Sequence, residues 1–241
     1  MVVCGQTLTL EKERALGAAM AAEIRRQSRP LDIADVSSYL ERVGARLGAF
    51  VPGGVFRFEV VVEEGAEPIG LPGGFVLIPA SFFLAVDDEA EFAGMVGHAM
   101  GHVFLRHSLV TAGRTQEWTI PLVFMGGWRG VHANTRNGKS LVPATFNEVI
   151  RTNELEADRF GADLAGRAGY DPAGVARYFR RVQPEQSAAY SALPMKAVRL
   201  AALADTAERG GAVGGSEFSS VREKVRIALQ GRVRKAPSLL R

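Results

Sequence analysis

The sequence predicts a mostly helical α+β domain, and three observations carry that prediction. Apolar residues recur at helical spacing over most of the chain. The period changes to an alternation of two only at residues 56–62, and a short apolar run follows at 75–78. No segment approaches the ~18 apolar residues of a membrane span, and no internal repeat is present. One packed domain with a small sheet is therefore expected, without a transmembrane segment.

The N-terminal elements follow from these periods in chain order. Helical spacing predicts a first helix over residues 10–29 and a second over residues 33–47, and each ends near a proline. Alternation over residues 56–62 predicts a half-buried strand. Residues 75–78 are apolar throughout and come before Pro79, so they predict a second short strand.

The remaining elements are helices. Asp88 is a candidate N-cap with Glu91 three residues later, which is typical of a helix start. This helix contains Gly94, Gly97 and Gly101, and each interior glycine costs about 1 kcal/mol relative to alanine. Their clustering predicts the close approach of another backbone or of a ligand. Further helices are expected at 146–168, after Asp171 and Pro172, at 194–207 and at 217–229.

Composition limits the function classes. The 241 residues are 47% apolar and 23% charged with a net charge of +3, which is typical of a globular protein and excludes a disordered or fibrous one. Cys4 is the single cysteine, so an internal disulfide is impossible. A chain of this length can bury a core unaided, so a metal on it would serve function rather than hold the fold together.

Basic residues dominate the C-terminal segment, where seven of them face one Glu223. A solvated tail is the favoured interpretation. No nucleic-acid partner is expected, because no nucleic-acid-binding motif accompanies the charge. The seven are Arg222, Lys224, Arg226, Arg232, Arg234, Lys235 and Arg241.

Two pairs of metal-ligating residue types stand at helical spacing. His98 and His102 are four residues apart, which puts both imidazoles on one helical face where they can bind one cation. Glu154 and Asp158 are also four apart on a later helix. Two like charges at that spacing weaken a helix by a few tenths of a kcal/mol, so a facing cation or imidazole would explain them. The alternatives are core histidines with satisfied hydrogen bonds and a solvated acidic face.

Four stretches of the sequence form recognisable motifs: EFAGMVGHAMGHVFLRH at 91–107, NELEADRFG at 153–161, AGYDP at 168–172 and LPGG at 71–74. Together they resemble a known family, the gluzincin zinc metallopeptidases that include the CAAX prenyl proteases, the HtpX heat-shock protease and the periplasmic BepA-type proteases. The resemblance implies a zincin-like peptidase domain, predicted at 1–208. Composition predicts a glycine linker, short helix and basic tail at 209–241. Many relatives are periplasmic or membrane-associated, and the compartment and oligomeric state of this chain stay open.

The resemblance also implies a site. A zinc ion, Zn2+, would be held by His98, His102 and Glu154, with Asp158 as hydrogen-bond partner of a ligating histidine. An edge strand from Leu71 to Ile78 would bind extended or unfolded polypeptide. Trp118–Val131 would fall in a lid region. The residues expected to contact substrate are Leu71, Gly73, Gly74 and Phe75.

The chain departs from the family motif H-E-x-x-H, because Ala99 follows His98 where the family has its general base. Hydrolysis is therefore predicted to be absent or strongly impaired. Glu156 and His107 are not expected to replace the base, since the first lies off the Glu154 stripe and the second lies more than a turn beyond His102. Lesser departures are Glu67 in place of an asparagine and Leu193 in place of a histidine, whereas Arg199 is retained.

Three explanations of Ala99 stay open at this level. The chain is a natural pseudopeptidase that binds peptides or partners, an active enzyme in which alanine was introduced to stop self-digestion, or a slow enzyme with an unidentified base. The changes at Glu67 and Leu193 favour natural drift.

Overall fold

The computed structural model describes residues 8–62, 67–109, 135–136, 139–140, 144–185, 193–208, 211 and 214–233. No helix in these ranges is long and apolar enough to cross a bilayer. Cys4, the stretch Trp118–Val131 and the end of the basic tail lie outside them. The helices are α1 (Leu10–Gln27), α2 (Ala34–Gly48), α3 (Phe82–Ala85), α4 (Glu89–Phe104), α5 (Ala144–Arg167), α6 (Gly174–Val182), α7 (Lys196–Ala202) and α8 (Ser216–Val233).

The main sheet has three strands in the order β1, β3, β2. They are β1 (Arg57–Val61), β2 (Ile69–Leu71) and β3 (Phe75–Pro79). β3 is parallel to β1 and antiparallel to β2. A turn of 3-10 helix, Pro72–Gly74, joins β2 to β3 with positive φ angles of 74° at Gly73 and 98° at Gly74. A separate ladder pairs β4 (Thr135–Arg136) with β5 (Lys139–Ser140).

This topology corrects the prediction of one edge strand from Leu71 to Ile78. The Pro72–Gly74 turn divides that segment, and β3 has a strand partner on each side. Among the described strands, β2 forms one edge of this sheet, and β1 forms the other. That prediction came from the family resemblance, and it is wrong for Phe75–Ile78 because β3 is the central strand of the sheet.

The sheet lies between two apolar clusters. Val60, Val76 and Ile78 point into the main core, which includes residues of α2, α4, α5, α6 and α8. Phe75 and Leu77 point to the other face, where α1 covers them. β3 is therefore buried on both faces, which explains its uninterrupted apolar sequence.

The predicted close approach at the glycines of α4 is confirmed. A Cβ at Gly97 would lie 3.1 Å from the carbonyl oxygen of Gly161 on α5. A Cβ at Gly161 would lie 2.6 Å from the backbone nitrogen of His98 and 2.6 Å from the oxygen of Gly94. The two helices cross with their backbones nearly in contact. As a result, the carboxylates of α5 lie opposite the histidines of α4.

The C-terminal helix α8 packs against α2 and α3. Phe218, Val221 and Val225 are buried in the main core. The helix after residue 209 therefore contributes to the fold, and the division at residue 208 stays a prediction.

The crossing of α4 and α5 predicts an unequal response to two glycine substitutions. Gly161→Ala forces a methyl group into the backbone at His98, and we expect it to lower the free energy of unfolding by about 1 to 3 kcal/mol. Gly231 on α8 has open space around it. Gly231→Ala is the matched control and should be neutral or stabilising by up to about 1 kcal/mol. Urea unfolding measures both, and equal losses would contradict the close crossing.

Candidate metal centre

The histidines lie on a helix that is buried on nearly every side. Asp88 caps α4, with its Oδ1 accepting from the backbone N–H of Glu91 at 2.8 Å, as predicted. The Glu91 carboxylate accepts from the backbone N–H of Asp87 at 2.9 Å and pairs with Arg181. Partly buried polar contacts therefore fix this end of the helix that carries the two imidazoles.

His98, His102 and Glu154 converge. The Nε2 atoms of the two histidines are 3.1 Å apart, and Glu154 places Oε1 3.4 Å from His102 Nε2 and Oε2 3.7 Å from His98 Nε2. A tetrahedral zinc ion with ligand bonds of about 2.0 to 2.1 Å would hold its ligand atoms about 3.3 to 3.4 Å from one another. The donor set and its spacing therefore fit a zinc ion, and these three residues could hold a metal.

Asp158 and Arg199 lie behind His98. Oδ1 of Asp158 is 2.9 Å from Nδ1 of His98, so the carboxylate faces the ring nitrogen that would not bind metal. Arg199 donates two hydrogen bonds to Asp158, at 2.7 and 2.6 Å, and its guanidinium lies 3.5 Å from the centre of the Phe179 ring. Asp158 is 0% exposed and Arg199 1% exposed. The pair is sealed from water.

Burial and neighbouring charges set the pKa values in this cluster. Burial opposes a charged His98, but the carboxylates of Asp158 and Glu154 raise its pKa. Burial, with the other two imidazoles, holds the pKa of His102 well below its usual range. Burial raises the pKa of Glu154, whereas hydrogen bonds from Arg199 and His98 outweigh burial and lower that of Asp158. Protons on His98 and Glu154 would compete with a metal.

His107 contacts the second histidine of the site, a contact that the helical spacing does not predict. Its Nδ1 lies 3.1 Å from Nδ1 of His102, and its Nε2 lies 3.1 Å from Oε2 of Glu156. His102 and His107 are five residues apart and would lie on different faces of a continuous helix. The chain instead leaves α4 through Arg106, whose φ of 56° is left-handed. A positive φ at a non-glycine residue is not readable from spacing. The contact does not test the prediction that neither His107 nor Glu156 replaces the general base.

Arg106 is held in this conformation by α1. Its guanidinium donates to the buried carboxylate of Glu13 at 2.7 Å and to the carbonyl oxygen of Leu8 at 3.2 Å. These contacts fix the turn that returns His107 toward His102.

Ala99 is fully buried beside His98. The carbonyl of Ala99 faces β2, where a Cβ on Gly70 would lie 2.2 Å from that oxygen. The edge strand therefore runs directly against the helix that carries the histidines.

The four predicted substrate contacts make internal contacts. Leu71 and Phe75 are buried in the cluster under α1. A Cβ at Gly73 would meet the backbone of Arg14, and one at Gly74 the carbonyl of Val55. Any contact of Leu71 or Phe75 with a peptide would have to come from the backbone, and the substrate role of all four stays a prediction.

Glu67 comes just before β2 and belongs to the surroundings of the site. Burial raises the pKa of the Tyr178 phenol, and the charge of Glu67 with its hydrogen bond to Tyr178 adds to that shift. The negative charge of Glu67 also acts on Glu154 and on Arg199. From the sequence alone, Glu67 is recognisable only as a departure from the family motif.

The sealed pair behind His98 predicts a large loss when it is broken. Arg199→Met leaves the Asp158 carboxylate buried with one imidazole, and we expect the free energy of unfolding to fall by about 3 to 5 kcal/mol. Urea unfolding in the presence of a chelator measures this. Arg26→Met is the control, because Arg26 pairs with Glu23 on the exposed side of α1 and should give no measurable change.

Several known proteins are similar to this chain in sequence. The beta-barrel assembly-enhancing protease of Yersinia pestis is 26% identical over 190 residues, which is 74% of this chain and 39% of that protein. The protein of the same name from Escherichia coli is 24% identical over 202 residues, which is 79% of this chain and 41% of that protein. The chain thus spans about two fifths of these relatives.

A shorter relative matches over more of its own length. The metalloprotease LoiP of Escherichia coli is 24% identical over 174 residues, which is 68% of each chain. The sequence profile described as "Peptidase family M48" matches residues 34–207. That range includes both helices of the candidate metal centre and Arg199, and the chain belongs to peptidase family M48.

Proposed function

We propose that this chain is a zinc-binding domain of the M48 metallopeptidase family that binds extended or unfolded polypeptide, with hydrolysis absent or strongly impaired. The observation that carries the proposal is the meeting of two imidazole nitrogens and one carboxylate within 4.8 Å, next to an alanine. His98, His102 and Glu154 are the proposed ligands.

The surrounding residues have defined tasks in this proposal. Asp158 holds His98 through Nδ1, so that Nε2 is presented to the metal. Arg199 neutralises Asp158 and stands 3.5 Å from Glu154, which keeps that carboxylate in place. A zinc ion bound here would supply a Lewis acid and a water of lowered pKa.

The proposed loss of hydrolysis follows from Ala99. A methyl group neither accepts a proton from water nor delivers one to a leaving amine. General acid-base catalysis contributes about 100-fold to 10,000-fold to rate. An amide needs that contribution, so an intact zinc ligand set does not by itself make this chain a peptidase.

Peptide binding is proposed along β2. Within the described residues, the main sheet has two edge strands, β1 and β2, and the outer side of β1 already bonds to the chain at Pro30 and Leu31. The position of β2 against α4 would bring a strand added there close to His98. Main-chain hydrogen bonds to such a strand need little sequence preference, which suits an unfolded polypeptide.

Restoring the glutamate tests the proposed function. We expect the unmodified chain to bind one zinc ion, to bind casein and to leave casein intact, whereas Ala99→Glu should cleave it at least about 100-fold faster. Metal analysis and casein cleavage measure this, and His98→Ala is the control that should lose zinc.

The outcomes separate the alternatives. Cleavage only by Ala99→Glu identifies a disabled peptidase. No cleavage by either protein, with casein binding retained, favours a dedicated binding module. Casein cleavage by the unmodified chain that persists with a chelator would contradict the role of the metal.

If this chain is a slow enzyme, we propose Glu67 as its base, because the charge of Glu67 acts on Glu154 and on Arg199. If the unmodified chain shows chelator-sensitive residual cleavage, we expect Glu67→Gln to reduce it by about 10-fold or more, as loss of a general base does. Glu148→Gln is the matched control, because Glu148 is exposed on α5. Unchanged cleavage in Glu67→Gln would exclude Glu67 as the base.

A further inference from the structure

We propose that His107 and Glu156 are positioning residues that fix the second histidine ligand, His102, in the tautomer able to bind metal through Nε2. The inference rests on the proposed zinc site and concerns how it is held together. Three side chains form one line of contacts, Glu156 to His107 to His102, each step 3.1 Å long.

This line of contacts starts at the Glu156 carboxylate, which can only accept hydrogen bonds. An ionised carboxylate has no proton to donate, so Nε2 of His107 must donate to Oε2 of Glu156. A neutral imidazole carries one N–H, and Nδ1 of His107 is then an acceptor. Its neighbour at 3.1 Å, Nδ1 of His102, must be the donor. The Nε2 of His102 then carries a lone pair and no proton.

The Nε2 atom of His102 lies close to the other proposed ligand atoms. Nε2 of His102 lies 3.1 Å from Nε2 of His98 and 3.4 Å from Oε1 of Glu154, which are the other proposed ligand atoms. The ring planes of His102 and His107 are 80° apart with centroids separated by 5.0 Å, so the two rings meet edge to face. The contact fixes the orientation of the His102 ring as well as its proton.

The two ligand histidines are thus supported by different means. His98 is held by Asp158 and Arg199, which are sealed in the interior. His102 is held by His107, whose side chain is 5% exposed, and then by Glu156, whose side chain is 53% exposed. The support of His102 therefore ends at the surface, where water can solvate Glu156.

Zinc affinity of the purified full chain tests the proposal. A pair of substitutions separates the acceptor from simple packing: His107→Leu fills the space without an acceptor, whereas His107→Asn keeps an amide oxygen near the position of Nδ1. Loss of a group that orients a ligand costs about 10-fold to 100-fold in metal affinity. We expect that loss in His107→Leu, and an affinity within a few-fold of the parent in His107→Asn. Chelator competition gives the dissociation constants.

Two further measurements accompany the affinities. Glu156→Gln still offers an acceptor oxygen and should weaken zinc binding less than His107→Leu, whereas the exposed Glu148→Gln on the same helix should leave it unchanged. Nitrogen-15 NMR of labelled histidines should find the proton of His107 on Nε2 and that of His102 on Nδ1. Thermal unfolding of the metal-free variants shows whether each one folds.

The failures are distinguishable. A parent chain that binds no zinc contradicts the proposed function, and the NMR spectrum of the metal-free protein then decides the tautomers. A parent that binds zinc while His107→Leu binds it equally well overturns the inference alone. A proton on Nδ1 of His107, or equal loss in the leucine and asparagine variants, also overturns it.

Discussion

The near-contact of α4 and α5 at Gly97 and Gly161 is the constraint on which the candidate metal centre depends. Without a Cβ between them, the backbones approach until a methyl group on Gly161 would lie 2.6 Å from the His98 nitrogen. Only at that separation can the short side chains of Glu154 and Asp158 reach the two nitrogens of one imidazole. The packing of these two helices therefore sets the geometry of the metal ligands.

The same crossing buries the charged side chain of Asp158, and the buried Arg199 beside it supplies the opposite charge. Asp158 is buried because His98 and Arg199 face it, and Arg199 is buried because Asp158 and the Phe179 ring face it. Buried pairs of this kind contribute little net stability when intact, and their loss is costly. The contacts that support His98 are thus also part of the core.

The groups that would hold a metal have a structural role in the core, whereas the residue at the position of the general base does not. Most groups that would position a zinc ion also satisfy buried polar atoms, so they have a structural role whether or not a peptide bond is cut. The position beside His98 has no such role, because Ala99 contributes only a buried methyl group and a carbonyl facing β2. A chain can therefore keep the ligands while its general base is absent.

The sequence by itself determined whatever depends on short-range spacing: Asp88 as a cap, two imidazoles on one face of α4, and two carboxylates on one face of α5. Tertiary structure decided the rest. His107 returns to His102 because Arg106 is left-handed and held by Glu13, which is 93 residues away in sequence. Strand order and the place of Glu67 likewise depend on pairings that no local period records. Spacing describes one element, whereas the site is made by contacts between several.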